Sequence, residues 1–170
     1  MSTGCRLRPP FGLAGPAFES ADYRLPAVDP ARVALVGIRS LDPAERKVLT
    51  ELDVLVYTMS DVDRIGVAPV LRESLAKVAG DGFVHLSLDL DALDPEVAPG
   101  VRTPVRGGLS YREAHLAMEL VAESGLVGSL EVVEVNPFLD RENETATPAV
   151  ELVASPSARA SCDASVTPAL

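Results

Sequence analysis

Tryptophan is absent from this chain, and four phenylalanines and three tyrosines are its only aromatics. A core without large rings has to come from Val, Leu and Ala, which the 47% apolar content allows. Two cysteines occur, Cys5 and Cys162, near opposite ends and in no Cys-x-x-Cys pair. That spacing offers neither a disulfide framework nor a thiolate zinc site. Apolar runs long enough to span a bilayer are lacking. The apolar stretch from Phe11 to Phe18 is broken by proline and glycine, so it reads as a loose start rather than a signal peptide. Cytoplasm is then the default location. Positive charge is also scarce. A formal charge of −10 sets the chain against nucleic acid and anionic membrane surfaces as partners. There is no internal repeat and no glycine-rich phosphate fingerprint, because Gly107-Gly108 follows a loop rather than a strand.

What is present alternates regularly. At 170 residues the chain is one domain or part of a larger one. Residues 1–29 are rich in Pro, Gly and small side chains and read as irregular. Arg32 to Ile38 and Val54 to Thr58 are short continuous apolar runs, the mark of strands buried on both faces. Between them, Asp42-Pro43-Ala44-Glu45 combines N-cap, N1 proline and capping-box acid, and predicts a helix to about Leu52. Ser60 and Asp63 suggest a second helix reaching Val78, with Gly66 and Pro69 forcing a kink or a restart near Ala68. A third strand runs through His85 to Asp91. After Pro95 comes a loop from Glu96 to Leu109, long enough to be functional. Ser110-Tyr111-Arg112-Glu113 is another capping box, opening a helix with a stripe of Ala114, Met118 and Val121 that ends at Gly125. Leu130 to Val135 is a fourth strand, closed by Asn136-Pro137. Thr147-Pro148 starts a last helix, and 155–170 reads as a disordered tail. The order predicts a three-layer α/β/α fold with a mostly parallel sheet. Ligands in such sheets bind at the carboxyl ends of strands, where Asp91 and Glu134 both fall.

The chemistry concentrates in the third strand. Val84, Leu86, Leu88 and Leu90 share one face, and His85, Ser87, Asp89 and Asp91 share the other. Two carboxylates roughly 7 Å apart along a strand call for a proton or a cation between them. Three readings follow. Asp89 and Asp91 are a solvated strand end with Asp94-Pro95 as turn chemistry; or the stretch is a calcium loop; or the carboxylates hold a hard divalent ion such as Mn²⁺ and activate water. The calcium loop fails, since an EF-hand counted from Asp89 puts Leu93, Asp94 and Gly100 where Asp/Asn, Gly and Glu belong. His85 lies about 13 Å from Asp89 along an extended strand, so it reads as a buried, hydrogen-bonded structural histidine. His115, with no acidic partner at ligand spacing, reads the same way.

The stretch His85 to Pro95, with Gly100-Val101-Arg102-Thr103-Pro104, Gly107 to Glu113, Glu131 to Pro137 and Val36 to Asp42, closely resembles the arginases of the ureohydrolase family. The Ser-x-Asp-x-Asp-x-x-Asp-Pro motif is highly specific. Glu-Val-Asn-Pro and the Ser-Tyr-Arg-Glu helix start are more similar to arginase than to agmatinase. The likeness runs from about Pro30 to Val153, so 30–154 reads as the C-terminal part of an arginase-like domain, truncated on its N-terminal side.

The resemblance implies a cytoplasmic hydrolase of arginine metabolism, of the urea-cycle type, which converts L-arginine to L-ornithine and urea with two Mn²⁺ ions. Asp89 would bridge both ions and Asp91 would bind one. Glu134, as catalytic and substrate-binding residue, would hold the guanidinium by charge-assisted hydrogen bonds. Thr103 would sit near the substrate and position it or Glu134. Arg112 and Glu113 match positions at subunit contacts, which implies a homo-oligomer, trimeric or hexameric. The chain departs from the family where the Gly-Gly-Asp-His and Asp-Ala-His-x-Asp metal motifs are expected, and Arg102 replaces a usual Gly. The alternative is a catalytically inactive fragment that binds divalent metal weakly or only self-associates, or an agmatinase-like ureohydrolase.

Overall fold

The computed structural model describes Phe11 and residues 25–163, and the side chains as far as Ala154. Most of the segment expected to be irregular, both cysteine side chains and residues 164–170 lie outside that range. Four strands and five α-helices follow one another among the described residues. They are β1 (Ala34–Ile38), α1 (Pro43–Glu51), β2 (Leu55–Thr58), α2 (Met59–Ile65), α3 (Val67–Val78), β3 (Val84–Asp89), α4 (Tyr111–Ser124), β4 (Val127–Val133) and α5 (Ala146–Asp163).

Local chemistry accounts for most of the boundaries. The Asp42 carboxylate accepts from the Ala44 and Glu45 amides at 2.9 and 2.8 Å, and Glu45 answers back to complete the α1 capping box. Ser110 and Glu113 form the same box at the start of α4, and Gly125 ends that helix in the left-handed conformation, φ 63°. Ala114, Met118 and Val121 are its buried stripe, as the spacing predicts. The second helix differs from expectation. Its cap is Thr58, whose hydroxyl and amide bond Asp61 at 2.6 and 2.9 Å, so the helix starts ahead of Ser60. Gly66, at φ 90°, then separates α2 from α3. The restart at Val67 leaves Pro69 in a first turn, where its missing N–H breaks no helical bond.

All strand pairing within named strands is parallel, which is the expected α/β class, but the strands form two pairs rather than one continuous ladder: β1 with β2 and β3 with β4. The β1–β2 pair is sandwiched. Leu35 and Val56 face a cluster of Phe11, Leu49 and Val54, while Val36 and Tyr57 face the main core. That is the three-layer arrangement, reached through the period-two alternation of strand side chains. The β3–β4 pair buries Leu86, Leu88, Leu130 and Val132 against the same main core, where Val70, Ala114, Met118 and Leu152 come in from α3, α4 and α5. Its other face carries His85, Ser87 and Glu131, all exposed. The strands are half-buried rather than fully buried, because among the described residues each has a paired neighbour on one side. At the C-terminal end the helical backbone of α5 runs from Ala146 to Asp163.

Candidate functional site

β3 ends at Asp89, earlier than simple alternation suggests. Leu90–Ala92 is a single 3-10 turn, and the Asp89 carboxylate accepts from the Asp91 amide at 3.0 Å to cap it. The two aspartates are therefore not successive positions on one strand face. One is the last strand residue and the other lies in the turn that follows. Leu90 between them is fully buried and anchors that turn in the core. The parallel register sets Asp89 opposite Val133, the last residue of β4, and Glu134 comes next. Glu134 is likewise outside its strand, since β4 spans Val127–Val133 rather than Leu130 to Val135. Its backbone has φ 65°, a left-handed conformation uncommon for a residue with a side chain. Asp53, Glu142 and Asn143 share that feature in turns, so it is the position beside Asp89 and Asp91 that gives the Glu134 conformation its meaning.

The electrostatics at Asp91 follow from this convergence. Burial pushes its pKa up, and the charges of Asp89 and Glu134 push it the same way, against the Thr103 amide and the Arg39 guanidinium. Its Oδ1 is buried without a hydrogen-bond partner. A buried, partnerless carboxylate oxygen next to two further carboxylates is disfavoured in a protein interior. A divalent cation would relieve it, and an all-oxygen donor set suits a hard ion such as Mn²⁺. Asp89 and Asp91 thus fit a metal. Among the described residues no group of three or more His, Cys, Asp or Glu side chains is arranged to hold one, so they fit as part of a coordination shell.

The loop carrying Thr103 is fastened mainly by Asp94. Its carboxylate accepts from the Glu96 amide at 3.0 Å and from the Gly107 amide at 2.8 Å, thirteen residues along the chain. The Asp94 amide donates to the Leu109 carbonyl and the Leu109 amide to the Ala92 carbonyl, each at 2.9 Å. The Glu96 and Gly107 amides hold Asp94 below its ordinary pKa. A lowered carboxylate pKa means the unfolded chain binds the proton more readily. The Asp94 contribution to stability is therefore full above about pH 4 and lost as pH falls through the depressed folded value. Asp94→Asn should destabilise the chain at neutral pH, and the gap to wild type should close on acidification. Urea melts of both proteins across that range check this, and a gap independent of pH would count against the Asp94 clamp.

On the far side, Gly100 joins the loop to the segment after β4. Its amide donates to Thr145 Oγ at 2.6 Å, and its carbonyl accepts from the Asn136 amide at 2.9 Å. The Asp140 carboxylate then accepts from the Thr145 and Ala146 amides at the start of α5, at 2.9 and 3.2 Å. These bonds hold the stretch just beyond Glu134 against the Thr103 loop. Thr103 itself is exposed, and its backbone amide is one of the groups that draw the Asp91 pKa downward. Arg102 beside it is exposed too.

Both histidines depart from expectation. His85 is exposed rather than buried, because it lies on the polar face of β3. Its Nδ1 is 2.6 Å from Ser129 Oγ, and its Nε2 is 3.6 Å from Glu131. His115 has an acidic partner after all, Glu119, one turn further along α4 at 3.7 Å. Neither joins Asp89 and Asp91 in a group able to hold a metal. Arg39 was passed over as a site residue. It follows β1, and its guanidinium donates to the carbonyls of Asp91 and Val105. No local pattern marks it, since its acceptors lie 52 and 66 residues further along the chain.

Comparison with known proteins places the chain in a family. A model of the Arginase family matches residues 14–157, which begins ahead of position 30, where the likeness was expected to start. The chain is 50% identical over 154 residues to an arginase of Bacillus caldovelox, covering 89% of this chain and 51% of that protein. It is 47% identical over 152 residues to the arginase of Bacillus subtilis (strain 168), again 89% of this chain and 51% of the relative. The crystal structure of an arginase from Bacillus subtilis superposes with a TM-score of 0.83 at 47% identity, over 88% of this chain and 52% of that one. The chain spans about half the length of the curated relatives it matches.

Proposed function

Because the chain belongs to the arginase family, we propose that it contributes the carboxylate side of a Mn²⁺-dependent site that hydrolyses L-arginine to L-ornithine and urea. One observation carries the reading: the partnerless, buried Asp91 Oδ1 beside Asp89 and Glu134, at the carboxyl ends of a parallel strand pair. Asp89 and Asp91 hold the metal. Two ions, when bound, supply activated water as the nucleophile. Glu134, which follows β4 with a left-handed backbone, binds the guanidinium through charge-assisted hydrogen bonds. Thr103 borders the substrate from the facing loop, kept there by the Asp94 and Gly100 fastenings.

We place the protein in the cytoplasm as a homo-oligomer, trimeric or hexameric, with a small-molecule substrate and no nucleic-acid or membrane partner. The charge of −10 weighs against nucleic-acid and anionic-membrane partners, and among the described residues no helix is long and apolar enough to cross a membrane.

The test is urea release from L-arginine by the purified chain supplied with Mn²⁺. Mn²⁺ uptake is expected of the carboxylate side, and in whatever turnover the assay detects Glu134→Gln should raise KM by about tenfold to a hundredfold, the worth of a hydrogen bond to a charged group. Absence of turnover together with absence of Mn²⁺ uptake in calorimetry would overturn the proposal.

A further inference from the structure

Arg39 belongs to neither strand of the β3–β4 pair, yet it reaches two segments that carry site residues. Gly37, near the end of β1, is buried and has φ 78°, a backbone that L side chains rarely adopt. The β1–β2 register shifts at the same point, between Val36 and Ile38. A Cβ at Gly37 would meet Leu109 and Ala92 at 3.8 and 3.9 Å, so this end of β1 lies against the turn after β3 and the end of the Thr103 loop. From there Arg39 donates one guanidinium nitrogen to the Asp91 carbonyl and the other to the Val105 carbonyl. Residues 102–107 are exposed, so the loop has little apolar burial of its own to fix it.

We infer that Arg39 is a positioning residue: its planar fork ties the Asp91 turn to the Thr103 loop and holds the two segments in register. A guanidinium suits the task because its donors diverge in a fixed plane and can serve two acceptors at once. A lysine ammonium can keep the charge but has no such plane. Both acceptors are neutral backbone carbonyls, so the side chains of Asp91 and Thr103 remain available for ligand. The assignment rests on reading those two residues as parts of one site, and it extends that reading to a residue on a different strand pair.

The test is amide hydrogen exchange on the full, metal-free chain, comparing wild type with Arg39→Met and Arg39→Lys. Exchange at residues 90–93 and 101–107 should rise on the order of tenfold or more in both variants, as expected when local opening loses two hydrogen bonds. Exchange in α1 and β2 should stay as in wild type. Unchanged protection at 90–93 and 101–107 would overturn the clamp. So would faster exchange throughout the molecule, which would make Arg39 a general structural residue, or full protection in Arg39→Lys, which would reduce its role to charge. A parallel Mn²⁺ titration keeps the two proposals apart. Wild type that takes up no metal defeats the functional reading, while the exchange data decide the role of Arg39 by themselves.

Discussion

Asp91→Asn should weaken Mn²⁺ binding on the order of a hundredfold or more, since loss of an outer partner alone costs ten- to a hundredfold and this change removes an anionic ligand. The same change should make the metal-free chain more stable. Without a cation, Asp91 has a buried oxygen with no hydrogen-bond partner and two carboxylates, on Asp89 and Glu134, acting on its charge. A neutral amide of the same shape removes the repulsion. The pH dependence has a definite sign. Burial and like charge raise the Asp91 pKa, so the folded state holds its proton more tightly than the unfolded state does. This contribution to stability is complete below about pH 4 and is lost as pH rises through the raised folded value. It runs opposite to that of Asp94, and the difference between wild type and Asp91→Asn isolates it. Urea unfolding of the two metal-free proteins between acid and neutral pH, with calorimetric Mn²⁺ titration of each, measures both effects. If Asp91→Asn lowers metal-free stability at neutral pH, the carboxylate is a structural group and its assignment to the metal fails.

A trade-off of this kind explains which parts of the molecule are legible in its sequence. Features that satisfy only local rules are read correctly. The boxes at Asp42/Glu45 and Ser110/Glu113 need four residues each, and both form as expected. Where two local signals compete, the outcome depends on contacts the sequence does not display. Ser60 and Thr58 both precede acids at capping distance, and the Thr58–Asp61 pair prevails. The end of β3 is harder. Leu90 continues the apolar alternation of the strand, yet it is equally the buried residue of a 3-10 turn. Periodicity therefore cannot distinguish an Asp91 on the strand face from an Asp91 in the turn. The motif identifies the aspartates, and the structure shows that one of them lies past the ladder, with its amide capped by the other.

Long-range features escape the sequence for a related reason. The alternation of β1 and β2 announces strands apolar on both sides, but not that β3 and β4 would form a separate pair. His85 is expected to be a buried structural residue because its distance along the strand keeps it from sharing a metal with Asp89. Its strand has a solvent face in this molecule, and its partners Ser129 and Glu131 come from β4, more than forty positions away. Arg39 lies still further from its acceptors, and a basic residue after a glycine carries no pattern that names a carbonyl across the fold. The left-handed Glu134 is a backbone property that no side-chain pattern encodes.

Gly108→Ala should be among the most damaging single substitutions in the site, at about 3 kcal/mol or more. A Cβ there would lie 2.5 Å from the Leu93 carbonyl oxygen and 2.6 Å from the Asp94 amide nitrogen. Both are backbone atoms and cannot swing aside as a side chain would. They belong to the bridge in which Leu93 pairs with Leu109, flanked by the 2.9 Å bonds between Asp94 and Leu109 and between Leu109 and Ala92. Room for a methyl group requires parting these segments, which strains both hydrogen bonds, each worth about 1 kcal/mol, and disturbs the packing around buried Leu93. Gly107 is the matched control. It has φ 79° with nothing within 4 Å of an added Cβ. Gly107→Ala should therefore lose only the left-handed penalty of about 1–2 kcal/mol. In a chain of this size the Gly108 variant should melt roughly 6–12 °C lower than wild type. It should also lose Mn²⁺ affinity, because the parted bridge leads directly into the Asp91 turn on one side and the Thr103 loop on the other. Thermal and urea melts of both variants, with a Mn²⁺ titration of each, decide the matter. Equal destabilisation by the two substitutions would show that backbone conformation, rather than the close approach of Leu93 and Asp94, sets the requirement for glycine at this point.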